Sequence, residues 1–224
     1  MKYILVTEKK WHKELFESLL DYKEEVRWIL IDKKVDFTKA KLETINPKKI
    51  FIPHWSYIIP EEIFLNFECI VFHMTDLPFG RGGSPLQNLI VRDIQKTKIS
   101  ALRVEKGIDT GKIYLKKELD LYGTAEEIFI RATKIIFSMI KEIIETNPEP
   151  YFQEGKSTTF RRRNLEDGDI SELKDLEKIY DYIRMLDAEG YPNAYLEIDN
   201  FRLEFSRANF KTHEILADVR IIKK

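Results

Sequence analysis

The sequence predicts an α/β fold, a mostly parallel sheet with flanking helices, followed by a small C-terminal helix and β-hairpin extension. Three observations predict it. Up to Pro150, short runs rich in β-branched and aromatic residues alternate with stretches of helical period. After Pro150 that alternation stops, and the chain ends in a helical pattern followed by period-2 alternation around Asp199-Asn200. With 224 residues, 43% of them apolar, the chain can also fill a sizeable core.

Tyr3 to Val6, "YILV", is the first strand candidate. Trp11, Leu15, Phe16, Leu19 and Leu20 then share one helical face, the pattern of a helix packed on a sheet. "VRWILI" (26–31), "KIFI" (49–52) and "CIVF" (69–72) are the next strands, with Pro60 placed to open an intervening helix. In "GSPLQNLIV", Ser84 is expected to cap and Pro85 to occupy the first turn of another helix, and "ISALRV" (99–104) makes a fifth strand. Thr124 and Glu127 form a capping box ahead of Ile128, Ala132, Ile135, Ile136, Met139 and Ile143, an apolar stripe that faces a core. The expected division is a core over 1–150, a polar surface excursion over 151–170 and a small α+β subdomain over 171–224. In the last part a helix near 172–185 carries Leu173, Leu176, Ile179, Tyr180 and Ile183 on one side, and "ILADVRII" closes a third short strand.

Charge and cysteine content bound the function. The 37 basic and 38 acidic residues leave a formal net charge of -1, so no global field draws nucleic acid or an anionic membrane, and neither is expected as a partner. One cysteine, Cys69, cannot close an internal disulfide, as suits a reducing cytoplasm. The apolar run at the N-terminus is too short for a signal peptide or membrane span, and a cytoplasmic location is expected.

The chemistry concentrates in "VFHMTDLPFGRGGSPLQNLI", residues 71–90. In an open α/β sheet the working crevice lies beyond the carboxyl ends of the strands, and His73 follows a wholly apolar strand at that end. The loop after it contains Gly80, Gly82 and Gly83, which permit close approach of a ligand, but it has neither phosphate-loop nor nucleophile-elbow spacing. A second turn, "VEKGIDTGKI" (104–113), exposes Asp109 just beyond another strand. If the two strands are neighbours, His73 and Asp109 meet above the sheet as an acid-base pair.

The spacing H-x-x-x-L-P-x-x-R-G-x-x-P, carried by His73, Leu77, Pro78, Arg81, Gly82 and Pro85, with G-I-D-T-G at 107–111, resembles the formyltransferases that use 10-formyltetrahydrofolate. Together with "FIPHWSYIIPEEIF" upstream and "MLDAEGYPNAYLE" downstream, the wording is most similar to the sugar and peptide-synthetase formyltransferases. The resemblance implies a Rossmann-like formyltransferase fold, no metal, and attack of a neutral amine on the formyl carbon, with His73 serving the oxyanion or moving a proton and Asp109 orienting it. It implies a folate contact along Phe79, Gly80, Arg81, Gly82 and Gly83 and at Val104 and Gly107. His54, Trp55 and Arg162 are the expected acceptor contacts, Arg162 through a diphosphate. The acceptor expected is a nucleotide-linked 4-amino-dideoxy sugar of a surface glycan, because the chain ends without the larger C-terminal domain of the tRNA-modifying relatives. A carrier-bound aminoacyl group, or binding of folate or nucleotide sugar without catalysis, is the alternative. One departure stands out. The family carries asparagine two residues before its histidine, and this chain has Val71. One oxyanion donor is worth about a hundredfold in rate, so either a backbone N–H, a water, Thr75 or His54 supplies it or the enzyme is slow or inactive.

Overall fold

The computed structural model describes residues 1–224. Its strands are β1 (Lys2–Val6), β2 (Arg27–Ile31), β3 (Lys49–Pro53), β4 (Cys69–His73), β5 (Arg81–Gly82), β6 (Lys96–Arg103), β7 (Ile113–Asp120), β8 (Thr159–Phe160), β9 (Ala194–Ile198), β10 (Phe201–Phe210) and β11 (Ile215–Lys223). Its α-helices are α1 (Lys13–Leu20), α2 (Lys39–Ile45), α3 (Glu61–Phe64), α4 (Pro85–Ile90), α5 (Ala125–Thr146) and α6 (Leu176–Leu186). The chain divides into two compact units that interleave along the sequence. The first comprises Met1–Gly82, Thr97–Leu119 and Ile130–Thr159, and the second Gly83–Lys96, Asp120–Phe129 and Phe160–Lys224. The division is thus not the sequential one expected at 150 and 170.

The first unit holds a six-stranded sheet of order β2-β1-β3-β4-β6-β7, parallel from β2 to β4 and antiparallel between β4 and β6. Burial on both sides explains why its central strands read as continuous apolar runs. Ile4, Val6, Ile31, Ile50, Ile52 and Cys69 pack with Phe37, Leu42 and Ile63 in one cluster. Successive strand side chains alternate, so Tyr3, Trp28, Phe51 and Phe72 meet one another separately, with neighbouring ring centroids 5.4 to 6.4 Å apart. Burial pushes the Cys69 thiol up to about 12, which makes it inert. At the amino ends of the strands, Glu68 takes hydrogen bonds from Lys49 and from the Tyr114 hydroxyl, which outweigh its partial burial and hold its carboxyl below the usual range. Strand β7 has no counterpart among the expected strands: in "IYLKKELD" three consecutive charged residues, Lys116, Lys117 and Glu118, interrupt the apolar run that would mark a strand.

In the second unit, Thr124 caps α5 as expected. The Glu127 carboxylate accepts the Thr124 N–H at 2.8 Å, and Thr124 Oγ1 accepts the Glu127 N–H at 3.3 Å. Ser84 does not cap α4. Its φ is 49°, and its hydroxyl accepts the Arg163 N–H at 3.1 Å. The expected hairpin at Asp199-Asn200 is present, with Phe201 opposite Ile198, and β11 joins β10 on the other edge. The helix there, α6, buries Ile183, Met185 and Leu186, together with Arg184, whose guanidinium donates to the Leu121 and Gly123 carbonyls and to Asp181. No helix is long and apolar enough to cross a membrane.

Candidate active site

In the first unit His73 ends β4 beside β6, its Cα partner being Ser100. The side chain is 8% exposed and both ring nitrogens are engaged: Nε2 lies 2.7 Å from the Gly80 carbonyl oxygen, and Nδ1 lies 3.5 Å from Asp109 Oδ2. A carbonyl only accepts, so the Nε2 proton points at Gly80 and Nδ1 faces the carboxylate. Asp109 sits in the left-handed region, φ 52°, and its Oδ2 also accepts the Gly82 N–H at 2.9 Å. The pairing expected from two strand-end loops is present, 36 residues apart in sequence by subtraction of 73 from 109.

Local chemistry builds these two turns. Gly80 and Gly82 have φ of 73° and 104°, values costly for a side chain, and they return the loop over His73. Buried Ser100 ties that loop to β6, accepting the Leu77 N–H at 3.3 Å and donating to the Thr75 carbonyl at 2.7 Å. Asp76 is bound by Lys98 and Lys116, which overcome its partial burial and hold its carboxyl below the usual range. At the second turn Gly107 has φ 103°, and a Cβ on Gly111 would stand 1.8 Å from the Arg103 carbonyl oxygen, so the turn closes only on glycine.

Residues 151–159 brace the site and do not merely run over the surface. Gln153 Nε2 donates to the Asp109 and Gly111 carbonyls, both at 2.8 Å. Its Oε1 accepts from the Arg81 guanidinium at 3.1 and 2.7 Å. Thr158 accepts the Gly80 N–H on its hydroxyl at 2.8 Å and the Arg81 N–H on its carbonyl at 3.0 Å. Polar residues without periodicity carry no sign in the sequence that they hold two loops together, so Gln153 and Thr158 escaped notice.

The other expected contacts divide. Phe79 and Arg81 lie in the loop, and Val104 is half-buried with its N–H on the Cys69 carbonyl at 2.8 Å. Val71 stands two residues before His73 on the same side of β4, packed against Leu77, Leu102 and Ile113. Thr75 is fully buried, and its hydroxyl donates to the Gly80 carbonyl at 3.4 Å. His54, with φ 49°, follows β3 beside the site. Trp55 packs edge-on against Phe37 and Tyr57, at 5.9 and 5.1 Å between centroids, as part of the core wall. Gly83 and Arg162 belong to the second unit, where a Cβ on Gly83 would come within 2.7 Å of the Arg162 Cβ. The neighbouring Arg161 pairs with Asp167.

Comparison with known proteins identifies this arrangement. Residues 165–222 match the family model described as methionyl-tRNA formyltransferase, C-terminal domain. A methionyl-tRNA formyltransferase from Sulfurovum sp. is 28% identical over 163 residues, 70% of this chain and 52% of that protein. A solved structure, methionyl-tRNA formyltransferase from Clostridium thermocellum, is 56% identical, with a TM-score of 0.96 and 100% of both chains covered. The chain belongs to the formyltransferase family. It spans about half the length of the curated relatives that it matches. A sugar N-formyltransferase from Shewanella sp., 17% identical with a TM-score of 0.70 over 92% of this chain and 97% of that one, shares the fold alone. So does HypX from Aquifex aeolicus in complex with tetrahydrofolic acid, 16% identical with a TM-score of 0.76 over 93% of this chain and 38% of that one.

These findings correct two expectations. The acceptor expected from the sequence, a nucleotide-linked amino sugar, is overturned by the tRNA-directed names of the relatives and of the 56% identical structure. The expected absence of a nucleic-acid partner falls with it, since a net charge of -1 sums over the whole chain and hides how 37 basic residues are distributed. Nor does the C-terminal segment set the chain apart from the tRNA-modifying relatives, because that is the segment the family model matches.

Proposed function

We propose that this protein transfers a formyl group from 10-formyltetrahydrofolate to the amine of methionyl-tRNA. The observation that carries this is the end-to-end match, at 56% identity, to a structure titled methionyl-tRNA formyltransferase. The acceptor is then an aminoacyl amine, as in the carrier-bound alternative that the sequence offered to a sugar, but borne by a tRNA, which the sequence did not lead one to expect.

The side chains support this chemistry. Half-buried Val71 and Val104 pack on the core cluster and present an apolar wall suited to a flat pterin near His73. Asp109, held by the Gly82 N–H, faces His73 Nδ1 at 3.5 Å, placed to exchange a proton with it. His73 Nε2–H, now on the Gly80 carbonyl, is the donor that turns to the formyl oxygen or the departing nitrogen. The amine–formyl bond forms as the C=O pair moves to oxygen. The amine then loses a proton to Asp109, which passes it to the bare His73 Nδ1, while His73 Nε2 gives its own proton to the folate nitrogen as the C=O bond re-forms and the old C–N bond breaks. Holding the amine and the formyl carbon in line supplies much of the rate.

Release of tetrahydrofolate in the presence of methionyl-tRNA tests the proposal. Wild type should turn over, and His73→Asn or Asp109→Asn should lower kcat by about 10²- to 10⁴-fold. Absence of turnover with methionyl-tRNA refutes the acceptor, and full activity of either variant refutes the roles.

A further inference from the structure

His12 and His54, two of the four histidines, are joined into a chain, buried at His12 and half-buried at His54, that ends beside His73. Thr7 Oγ1 lies 2.7 Å from His12 Nδ1, His12 Nε2 lies 3.0 Å from His54 Nδ1, and His54 Nε2 lies 3.0 Å from Met74 Sδ. Pro53 pairs with Phe72 in the parallel register of β3 and β4. His54 and His73, each one residue further on, therefore emerge side by side at the carboxyl ends of neighbouring strands, about 5 Å apart along the hydrogen-bonding direction. Trp11 sets its ring edge-on to both imidazoles, at 6.1 and 6.3 Å, and the two imidazole centroids are 4.9 Å apart.

The chain has a direction. The Met74 thioether only accepts, and weakly, so His54 carries its proton on Nε2. A neutral imidazole carries one N–H, so the bare His54 Nδ1 accepts from His12 Nε2. The Thr7 hydroxyl, 4% exposed and accepting the Lys9 N–H at 3.2 Å, donates to His12 Nδ1. Both rings are kept neutral. Burial, the neighbouring His54 and Lys9 push His12 well below its ordinary value, and burial, Lys9 and His73 push His54 down to about 3. Such a ring gives a hydrogen bond without taking or losing a proton, and its present partner is easily displaced by a charged oxygen.

We propose that the His54 Nε2–H is an oxyanion donor of this site, leaving the Met74 sulfur for the formyl oxygen as negative charge develops there, with His12 and Thr7 as positioning residues that set its tautomer. The proposal rests on the formyl-transfer function argued above. The alternatives on the page are weaker: Val71 has no donor, and the Thr75 hydroxyl is committed to the Gly80 carbonyl. His54 keeps its proton throughout. The amine nitrogen bonds to the formyl carbon, the C=O pair rests on the oxygen that His54 meets, and the pair returns as the carbon–folate nitrogen bond breaks.

Long-range 1H–15N correlation of the 15N-labelled full chain at pH 7 reads the tautomers directly. His12 and His54 should both appear as neutral Nε2–H rings, Thr7→Val should lose that bias, and Thr7→Ser should restore it. In the tetrahydrofolate-release assay with methionyl-tRNA, His54→Phe should lower kcat by about a hundredfold or more with KM for both substrates little changed. His54→Gln, which retains an N–H donor, should recover part of the loss. An Nδ1–H or doubly protonated His54 in wild type overturns the proposal, as does a folded His54→Phe with wild-type kcat. In the second case an active wild type leaves the formyltransferase function standing, whereas a wild type that transfers no formyl group removes that function and this proposal together.

Discussion

Acidification from pH 7 to pH 5 should destabilise the first unit through His12 and His54. His54 titrates at 6.5 when unfolded and is pushed down to about 3 in the fold, first by burial and then by Lys9 and His73. A group with a lowered folded value and a cationic protonated form contributes stability that is fully present above about 6.5. That stability is lost as pH falls toward the folded value, because below 6.5 the unfolded chain binds the proton and the folded one does not. At pH 5 the unfolded ring lies about 1.5 units below its midpoint, so at 1.36 kcal/mol per unit His54 alone removes about 2 kcal/mol relative to pH 7. His12, lowered well below 6.5 chiefly by burial, acts in the same direction. Glu68 and Asp76 are held below the usual carboxylate range, so their contributions persist at pH 5 and fail only in stronger acid. The assay is urea unfolding followed by tryptophan fluorescence, since Trp11, Trp28 and Trp55 all lie in the first unit. Wild type should lose about 2 kcal/mol or more between the two pH values, and His54→Gln should lose about 2 kcal/mol less than wild type. Equal losses in the two proteins would refute the claim that His54 is held neutral by its surroundings.

Two further predictions concern the turns that carry the site. Gly111→Ala places a methyl group 1.8 Å from the Arg103 carbonyl oxygen, a backbone atom that cannot swing aside. It should cost about 2 kcal/mol or more and depress turnover by moving Asp109, as urea midpoints and kcat would show; a variant of wild-type stability would mean the approach is not tight. Gln153→Leu leaves the Asp109 and Gly111 carbonyls and the Arg81 guanidinium without their present partner. It should cost about 1–3 kcal/mol in unfolding free energy and lower kcat, while Gln153→Glu, which still accepts from Arg81, should recover part of the stability. Unaltered kcat in Gln153→Leu would show that residues 151–159 do not position the acid-base pair.

Much of the first unit was legible because its signals are local. Continuous apolar runs mark β1 to β4, with β1, β3 and β4 buried on both faces, and Thr124 with Glu127 announces the start of α5 within four positions. His73 and Asp109 stood out because glycines and a strand end leave a spacing that few backbones need. Strand β7, interrupted by three consecutive charged residues, and the two-residue β8 have no such mark.

What the sequence by itself determined was the α/β class, the strand ends at which the chemistry sits and the two loops that supply it, since hydrophobic period and turn residues act over a few positions. Only the tertiary structure decided that Gln153 and Thr158 brace those loops from more than 40 residues away, that His12 reaches His54 across 42 residues, and that Ser84 accepts a backbone N–H from Arg163 and does not cap its helix. The physical reason is that a polar side chain satisfies its hydrogen bonds with whatever the fold brings near, and chain entropy places no pattern on where that partner lies in sequence.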